Sequence, residues 1–420
     1  MENEAFDVVI IGSGLGGMLS GALAISKGAK VLITEKANLI GGRFTSINKD
    51  GFMVPSGAFH MAPYGKSGVL NEIISHLGFS DRIMPLHDNA FWANGKIYGQ
   101  KKSELLKMFG IVDALVLKKI LDSFPKIYEE TKNSKEKFNY VLEKITKSKK
   151  IYNFFNSFCE FSIGCHLNSI PAKDFATIMI KVANGARPGF IKGGCGALIS
   201  DLKSFIESSN GSKIITRAEV IKLHSENSKI KNAEIKYNEQ TLLVEADTFI
   251  YNGVPARLNN LNADLLSDFQ NVPIAQGAGL HFACTKPPVD KKGIVLTLGA
   301  GTIPGFVVES NFDSTLSPEN KSLLSTCFDT SNGNLKENIE KAMKDLYLFF
   351  GEDFIKNEMK LLRVCNYTKH WPANHAIQGF DLSGFTAFHN LFIVGDGAKA
   401  EGFIMAEGVA SSVKRILDKL

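Results

Sequence analysis

This 420-residue sequence predicts an α/β protein whose parallel sheet draws strands from both ends of the chain. Three stretches carry that prediction. Phe6 to Ile11 is a β-branched apolar run suited to a buried parallel strand, and Gly12-Ser13-Gly14-Leu15-Gly16-Gly17 follows it directly. Gly41-Gly42-Arg43 supplies a second glycine turn just beyond the next strand. Near the end, Leu391 to Val394 reads as a buried strand, Gly395-Asp396-Gly397 as a turn and Gly402 to Leu417 as a helix. Together they describe a Rossmann-like, dinucleotide-binding domain with an α+β unit inserted into it.

Each glycine of the first turn has a mechanical task. Gly12 turns the chain, Gly14 admits a pyrophosphate close to the backbone, and Gly17 lets helix pack on strand. The helix that follows, Leu15 to Lys27, places Met18, Leu19, Ala22 and Leu23 on one face before Gly28 stops it. An anion at its N-terminus gains roughly 0.3–2 kcal/mol from the dipole. The second strand, Lys30 to Thr34, ends at Glu35-Lys36, about 20 residues past the glycines, where a carboxylate can accept the hydroxyls of an adenosine ribose. To this point NAD and FAD fit equally. The doublet in Gly41-Gly42-Arg43-Phe44-Thr45-Ser46 decides for FAD, because the extended cofactor needs a second close backbone approach.

Glycine turn, Glu35 and Gly-Gly-Arg in this order resemble the opening of the flavin amine oxidase and phytoene desaturase superfamily, with Leu39 where many members carry Arg. The resemblance implies FAD held by Gly12, Ser13, Gly14, Leu15, Gly16 and Gly17, by Glu35 and Lys36, and by Gly41, Gly42 and Arg43. It further places Gly57 and Ala58 along the flavin ring, the Val220 backbone at the adenine, and Gly395 and Asp396 at the ribityl chain. Met405 then opens a last helix aimed at the flavin. In Gly51 to His60, Phe59 would face ring or substrate, and His60 is the candidate catalytic proton carrier, a structural histidine being the alternative. Trp371, in the loop Trp371-Pro372-Ala373-Asn374-His375, and Phe403, where amine oxidases place an aromatic-cage Tyr, are candidate substrate contacts. The implied FAD-binding domain comprises 1–75, 188–255 and 385–420, and the substrate domain 76–187 and 256–384.

The intervening elements read as follows. Val69 to Leu77 has helical spacing, and Asn94-Gly95 between Phe91-Trp92-Ala93 and Lys96-Ile97-Tyr98 marks a hairpin. Ser103 to Phe158 reads as amphipathic helices, with Ser103 an N-cap and Pro125 a stop. Leu105, Leu106, Phe109, Val112, Leu115, Val116 and Ile120 form one apolar stripe, flanked by Lys102, Lys107, Lys118 and Lys119. A basic amphipathic region such as 103–150 suits peripheral contact with a membrane; an inward-packed helix with a solvated lysine face is the alternative. A helix carrying Leu198, Leu202 and Ile206 follows, then strands over 213–216, 219–224, 230–237, 241–244 and 247–251. Residues 275–284 and 293–308 read as strands of the inserted unit.

Composition bounds the rest. A net charge of +5 is too small to imply nucleic acid, although Lys96 to Lys150 carries fourteen Lys against seven acidic residues. Six cysteines without Cys-x-x-Cys or metal-ligand spacing imply reduced, buried thiols and no metal site. Glu2, Glu4 and Asp7 stand where a signal peptide needs basic residues, so a cytoplasmic protein is expected. Thirty phenylalanines suit either a lined cavity or plain core packing.

Three functions fit the resemblance. The first is a phytoene desaturase-like enzyme that desaturates, saturates or isomerises an apolar, isoprenoid or carotenoid-like substrate by hydride exchange with FAD. The second is a flavin amine oxidase, weakened by Phe403 in place of Tyr. The third is a prenyl-lipid-binding protein of the GDP-dissociation-inhibitor type, which the complete glycine set and Glu35 argue against. The sequence names neither the substrate nor the electron acceptor.

Overall fold

The computed structural model describes residues 5–209, 211–265, 271–299 and 301–420; Glu2, Glu4 and Ala300, used in the sequence reading, lie outside them. Five strands form the parallel sheet, in spatial order Lys213–Thr216, Val31–Glu35 (β2), Phe6–Ile11 (β1), Gln240–Tyr251 and Leu391–Ile393. Val9, Ile10, Leu32, Ile33, Phe249 and Ile250 are fully buried because both faces are covered. Helices Leu15–Ser26 (α1), Gly194–Glu207 and Met405–Leu417 pack on one face. An antiparallel meander, Ala218–Glu226, Lys229–Tyr237 and the first half of Gln240–Tyr251, extends from the sheet and packs across the other. Residues 241–244 and 247–251 therefore belong to one strand, not two. Thr241–Glu245 pairs antiparallel within the meander, and Ala246–Tyr251 pairs parallel with β1.

A second, seven-stranded sheet comes from the middle of the chain, in order Met359–Tyr367, Gly277–Cys284, Ser322–Asp329, Gly305–Val308, Val295–Thr297, Ala90–Ala93 and Lys96–Gly99. Its last hairpin turns at Asn94 and Gly95, both at positive φ (51° and 75°), the pair that a two-residue turn demands. Within 293–308 the strands are Val295–Thr297 and Gly305–Val308, which pair antiparallel.

Helices Lys102–Phe109, Ile111–Thr131, Phe138–Ile145, Lys149–Phe158 and Ala172–Ala183 pack beside this sheet around Phe124, Phe138, Phe155 and Phe175. The ring centroids of those four lie 4.3 to 6.1 Å apart, so part of the phenylalanine content is core packing. Two sequence expectations need correction here. Ser103 lies inside its helix, whose N-cap is Lys101, and Pro125 lies within Ile111–Thr131 without ending it. The single apolar stripe is divided, because Gly110 at φ 82° separates two helices. Phe109 and Ile120 are buried, whereas Ile111, Val112 and Leu115 are 71%, 75% and 64% exposed. No described helix is long and apolar enough to cross a membrane.

Candidate active site

The glycine turn after β1 is built by close packing. Gly12 sits at φ 99°, and a Cβ on Gly17 would lie 2.0 Å from the Gly12 carbonyl oxygen. At Gly14 or Gly16 it would lie 2.9 or 2.7 Å from the Asn252 amide, just past strand Gln240–Tyr251. The second doublet docks on the first: Gly41 N–H donates to the Ser13 carbonyl at 3.0 Å, and Gly42, at φ 57°, faces Gly14. Glu35 closes the other side. One carboxylate oxygen accepts the Ser13 N–H and hydroxyl at 3.0 and 2.8 Å, and the other accepts the Ala37 N–H at 2.9 Å. Lys36 is exposed beside it. Val220 is buried in the meander, three residues past Arg217, whose N–H bonds the Ala37 carbonyl at 2.9 Å. A helix N-terminus without an acidic first turn, two interlocked glycine turns and a strand-end carboxylate fit a dinucleotide's pyrophosphate and ribose.

The chain's end completes the site. Gly395, at φ 108°, donates its N–H to the Ser412 hydroxyl at 2.9 Å, and a Cβ on Gly16 would lie 3.3 Å from its Cα. Beside it Asp396 is buried and accepts from Arg43 at 2.8 Å, from His375 Nδ1 at 2.9 Å and from the His375 N–H at 3.1 Å. Burial alone would raise the Asp396 carboxyl; Arg43 and His375 outweigh it and hold the group well below the usual carboxylate range. Burial in turn lowers His375, leaving it neutral. Arg43 also donates to the Pro372 carbonyl at 2.8 Å and contacts that of Ala373. Arg43 and Asp396 thus form one buried unit with the loop at 372–375, which sequence spacing does not reveal.

From this unit opens a cavity of about 640 Å³. Arg43, Gly57, Ala58, Asp396, Met405 and Ala406 line part of it. Gly57 lies against Arg43, where a Cβ would come within 2.7 Å of the Arg43 carbonyl oxygen. Met405, at φ 47°, and Ala406 begin the last helix, so its N-terminus is presented to the cavity. The remaining wall is largely apolar, with Phe59, Phe91, Phe124, Phe154, Phe158 and Phe161 prominent. Phe59 stacks at 5.4 Å on Phe161, a residue the sequence reading passed over.

Three expected residues do not line the cavity. His60 is fully buried with both ring nitrogens engaged: Nδ1 accepts the Cys195 N–H at 3.1 Å and Nε2 donates to the Met53 carbonyl at 2.7 Å. Buried, engaged at both ring nitrogens and away from the cavity, His60 fits the structural alternative rather than the catalytic one. Trp371 is 43% exposed on the outer side of its loop, whose Ala373 and Asn374 reach the cavity instead. Phe403 packs against Tyr64 at 6.0 Å and under the Lys181 ammonium at 4.0 Å; Tyr64 lines the cavity in its place. Among the described residues no cluster of potential metal ligands is present.

Comparison with known proteins agrees with this geometry. An uncharacterized protein of Methanocaldococcus jannaschii is 30% identical over 411 residues, spanning 97% of this chain and 98% of that protein. The crystal structure of an oxidoreductase from Methanosarcina mazei superposes with a TM-score of 0.86 at 26% identity, covering 98% of this chain and 99% of that one. Prolycopene isomerase 2 of an Oncidium hybrid is 37% identical over 76 residues, 18% of this chain and 13% of that protein. The model of flavin-containing amine oxidoreductases matches residues 19–411, and with nearly the whole chain matched, the protein belongs to that family of flavin-dependent oxidoreductases.

Proposed function

We propose that the protein binds FAD and acts on carbon–carbon bonds of an apolar, isoprenoid or carotenoid-like substrate, desaturating, saturating or isomerising it. The flavin supplies hydride exchange when bound; the chain's residues bind, orient and exclude water. The observation that carries this reading is the phenylalanine-lined cavity that Arg43, Ala58 and Met405 also line. A wall of this kind gains about 25 cal/mol for each Å² of hydrocarbon it covers and offers few polar groups to anchor a small ion. The local likeness to prolycopene isomerase supports it. Ile111, Val112 and Leu115, exposed beside Lys118 and Lys119, extend the reading to peripheral contact with an anionic membrane surface. They lie on the same helix as Leu121 and Phe124, which line the cavity.

Amine oxidation is the second reading, and the carboxylates of Glu160 and Asp329 in the cavity wall favour it. Anaerobic incubation of the flavin-loaded protein with linear isoprenoid polyenes and with primary amines separates the two. The first reading expects about one equivalent of polyene per flavin to lose a double bond with oxidised flavin or to gain hydrogen with pre-reduced flavin, or a geometric isomerisation that turns over. Bleaching of the flavin by amines alone, with every polyene unchanged, would sink it.

A further inference from the structure

Glu160 and Asp329 are two carboxylates in a largely apolar cavity wall that also holds Arg43, Arg187 and Asp396. Glu160 comes from a single π-turn, Cys159–Ile163, and Asp329 from the end of strand Ser322–Asp329. His166 lies between them, Nδ1 2.5 Å from Glu160 and Nε2 3.1 Å from Asp329. Hydrogen bonds to both carboxylates push the imidazole up to about 10 against the opposing effect of burial, so it is an imidazolium at neutral pH. The three groups together carry one net negative charge.

The protein satisfies only part of this cluster. Asn156 Nδ2 donates to Glu160 Oε1 at 2.9 Å, and the Ser331 N–H donates to Asp329 Oδ2 at 3.0 Å. His166 pairs by charge with the same two oxygens. Among the described residues no donor reaches Glu160 Oε2 or Asp329 Oδ1. Neither oxygen is among the fully buried unpartnered atoms, so water or a ligand can reach both, and a ligand that covers them with hydrocarbon instead of a donor costs free energy. The π-turn adds weight, since such insertions cluster where a helix must re-aim a side chain towards a functional site.

We propose that Glu160 and Asp329, held in place by His166, form a specificity site for a hydrogen-bond-donating head group, hydroxyl or ammonium, on an otherwise apolar substrate. This rests on the apolar-substrate reading above and narrows it. A substrate that is hydrocarbon throughout leaves the cluster unmatched.

Isothermal titration calorimetry on the full chain, purified with its cofactor, tests this with three probes of one skeleton: 2,6-dimethyl-2,6-octadiene, geraniol and geranylamine. The alcohol, the amine or both are expected to bind at least about tenfold more tightly than the hydrocarbon, the scale of a hydrogen bond to a charged group. Preference for the amine alone assigns charge pairing; preference for both assigns hydrogen bonding. Glu160→Gln and Asp329→Asn should each remove most of the preference, read as the ratio of alcohol or amine affinity to hydrocarbon affinity in the same variant. Retained flavin absorbance reports that each variant is folded. Equal affinity for the three probes, or a preference both variants keep, overturns the proposal and leaves the apolar reading standing. Failure of all three to bind overturns both.

Discussion

Replacing Glu407 by glutamine should flatten the pH dependence of stability. Glu407 stands in the first turn of the last helix, fully buried. One oxygen accepts the Leu70 N–H at 3.0 Å at the start of helix Val69–His76, and the other has no partner. Burial, only partly offset by backbone N–H groups of Leu70, Val69 and Tyr64, raises the carboxyl from 4.5 to about 7. The folded protein therefore holds this proton more tightly than the unfolded chain does. Its stabilising contribution is full below about 4.5, is lost as pH rises through about 7, and is constant above that. At about 1.4 kcal/mol per pH unit, the loss amounts to about 3 kcal/mol. Glu407→Gln keeps an acceptor for Leu70 and has no proton to release. It also buries an amide NH₂ where no acceptor waits, a pH-independent cost of about 1–3 kcal/mol. The prediction thus concerns the change in the wild-type-minus-variant difference between pH 4 and pH 8, about 3 kcal/mol in the variant's favour at the higher pH. Urea midpoints at matched cofactor saturation measure it. Parallel pH profiles for the two proteins would refute the buried-proton argument.

Three other perturbations follow from the geometry. Gly17→Ala would place a methyl 2.0 Å from the Gly12 carbonyl oxygen, so the variant should purify without bound cofactor; a normally loaded variant would contradict the packing account. His60→Ala removes two buried hydrogen bonds and should cost about 2–5 kcal/mol, with turnover per folded molecule within about threefold of wild type. A hundredfold fall in kcat at unchanged stability would restore His60 as a catalytic residue. Replacing Ile111, Val112 and Leu115 together by Glu should weaken co-sedimentation with anionic vesicles at least about tenfold while soluble turnover persists. A wild type that ignores such vesicles would end the membrane reading.

The parts of this molecule legible in sequence are those whose constraint lies within a few residues. A strand running into glycines at positive φ announces itself, because only glycine tolerates that backbone and that crowding. The close fit of Asn252 against Gly14 and Gly16 was not legible, and it explains those glycines by packing as well as by room for a pyrophosphate. Pro125 misled because a proline's missing N–H frees only one carbonyl, which a long helix packed on its neighbours tolerates. The Arg43–Asp396–His375 unit joins residues 353 apart in the chain, and no local pattern encodes such a pairing. Trp371 and Phe403 show the same limit. An aromatic residue next to a cavity-forming loop can face in or out, and the choice is made by partners such as Tyr64 and Lys181. Glu160 and Asp329 gave no signal, since isolated acids in helix and strand read as solvated surface.

Interlocked glycine turns and a strand-end carboxylate are proposed to hold FAD against a hydrocarbon-lined cavity. The visible absorption spectrum of the purified protein, followed by mass spectrometry of whatever heat releases, tests it most directly. A flavin spectrum, with FAD released in near-equal amount to protein, is the expected result. A colourless protein that added FAD fails to reconstitute would contradict it.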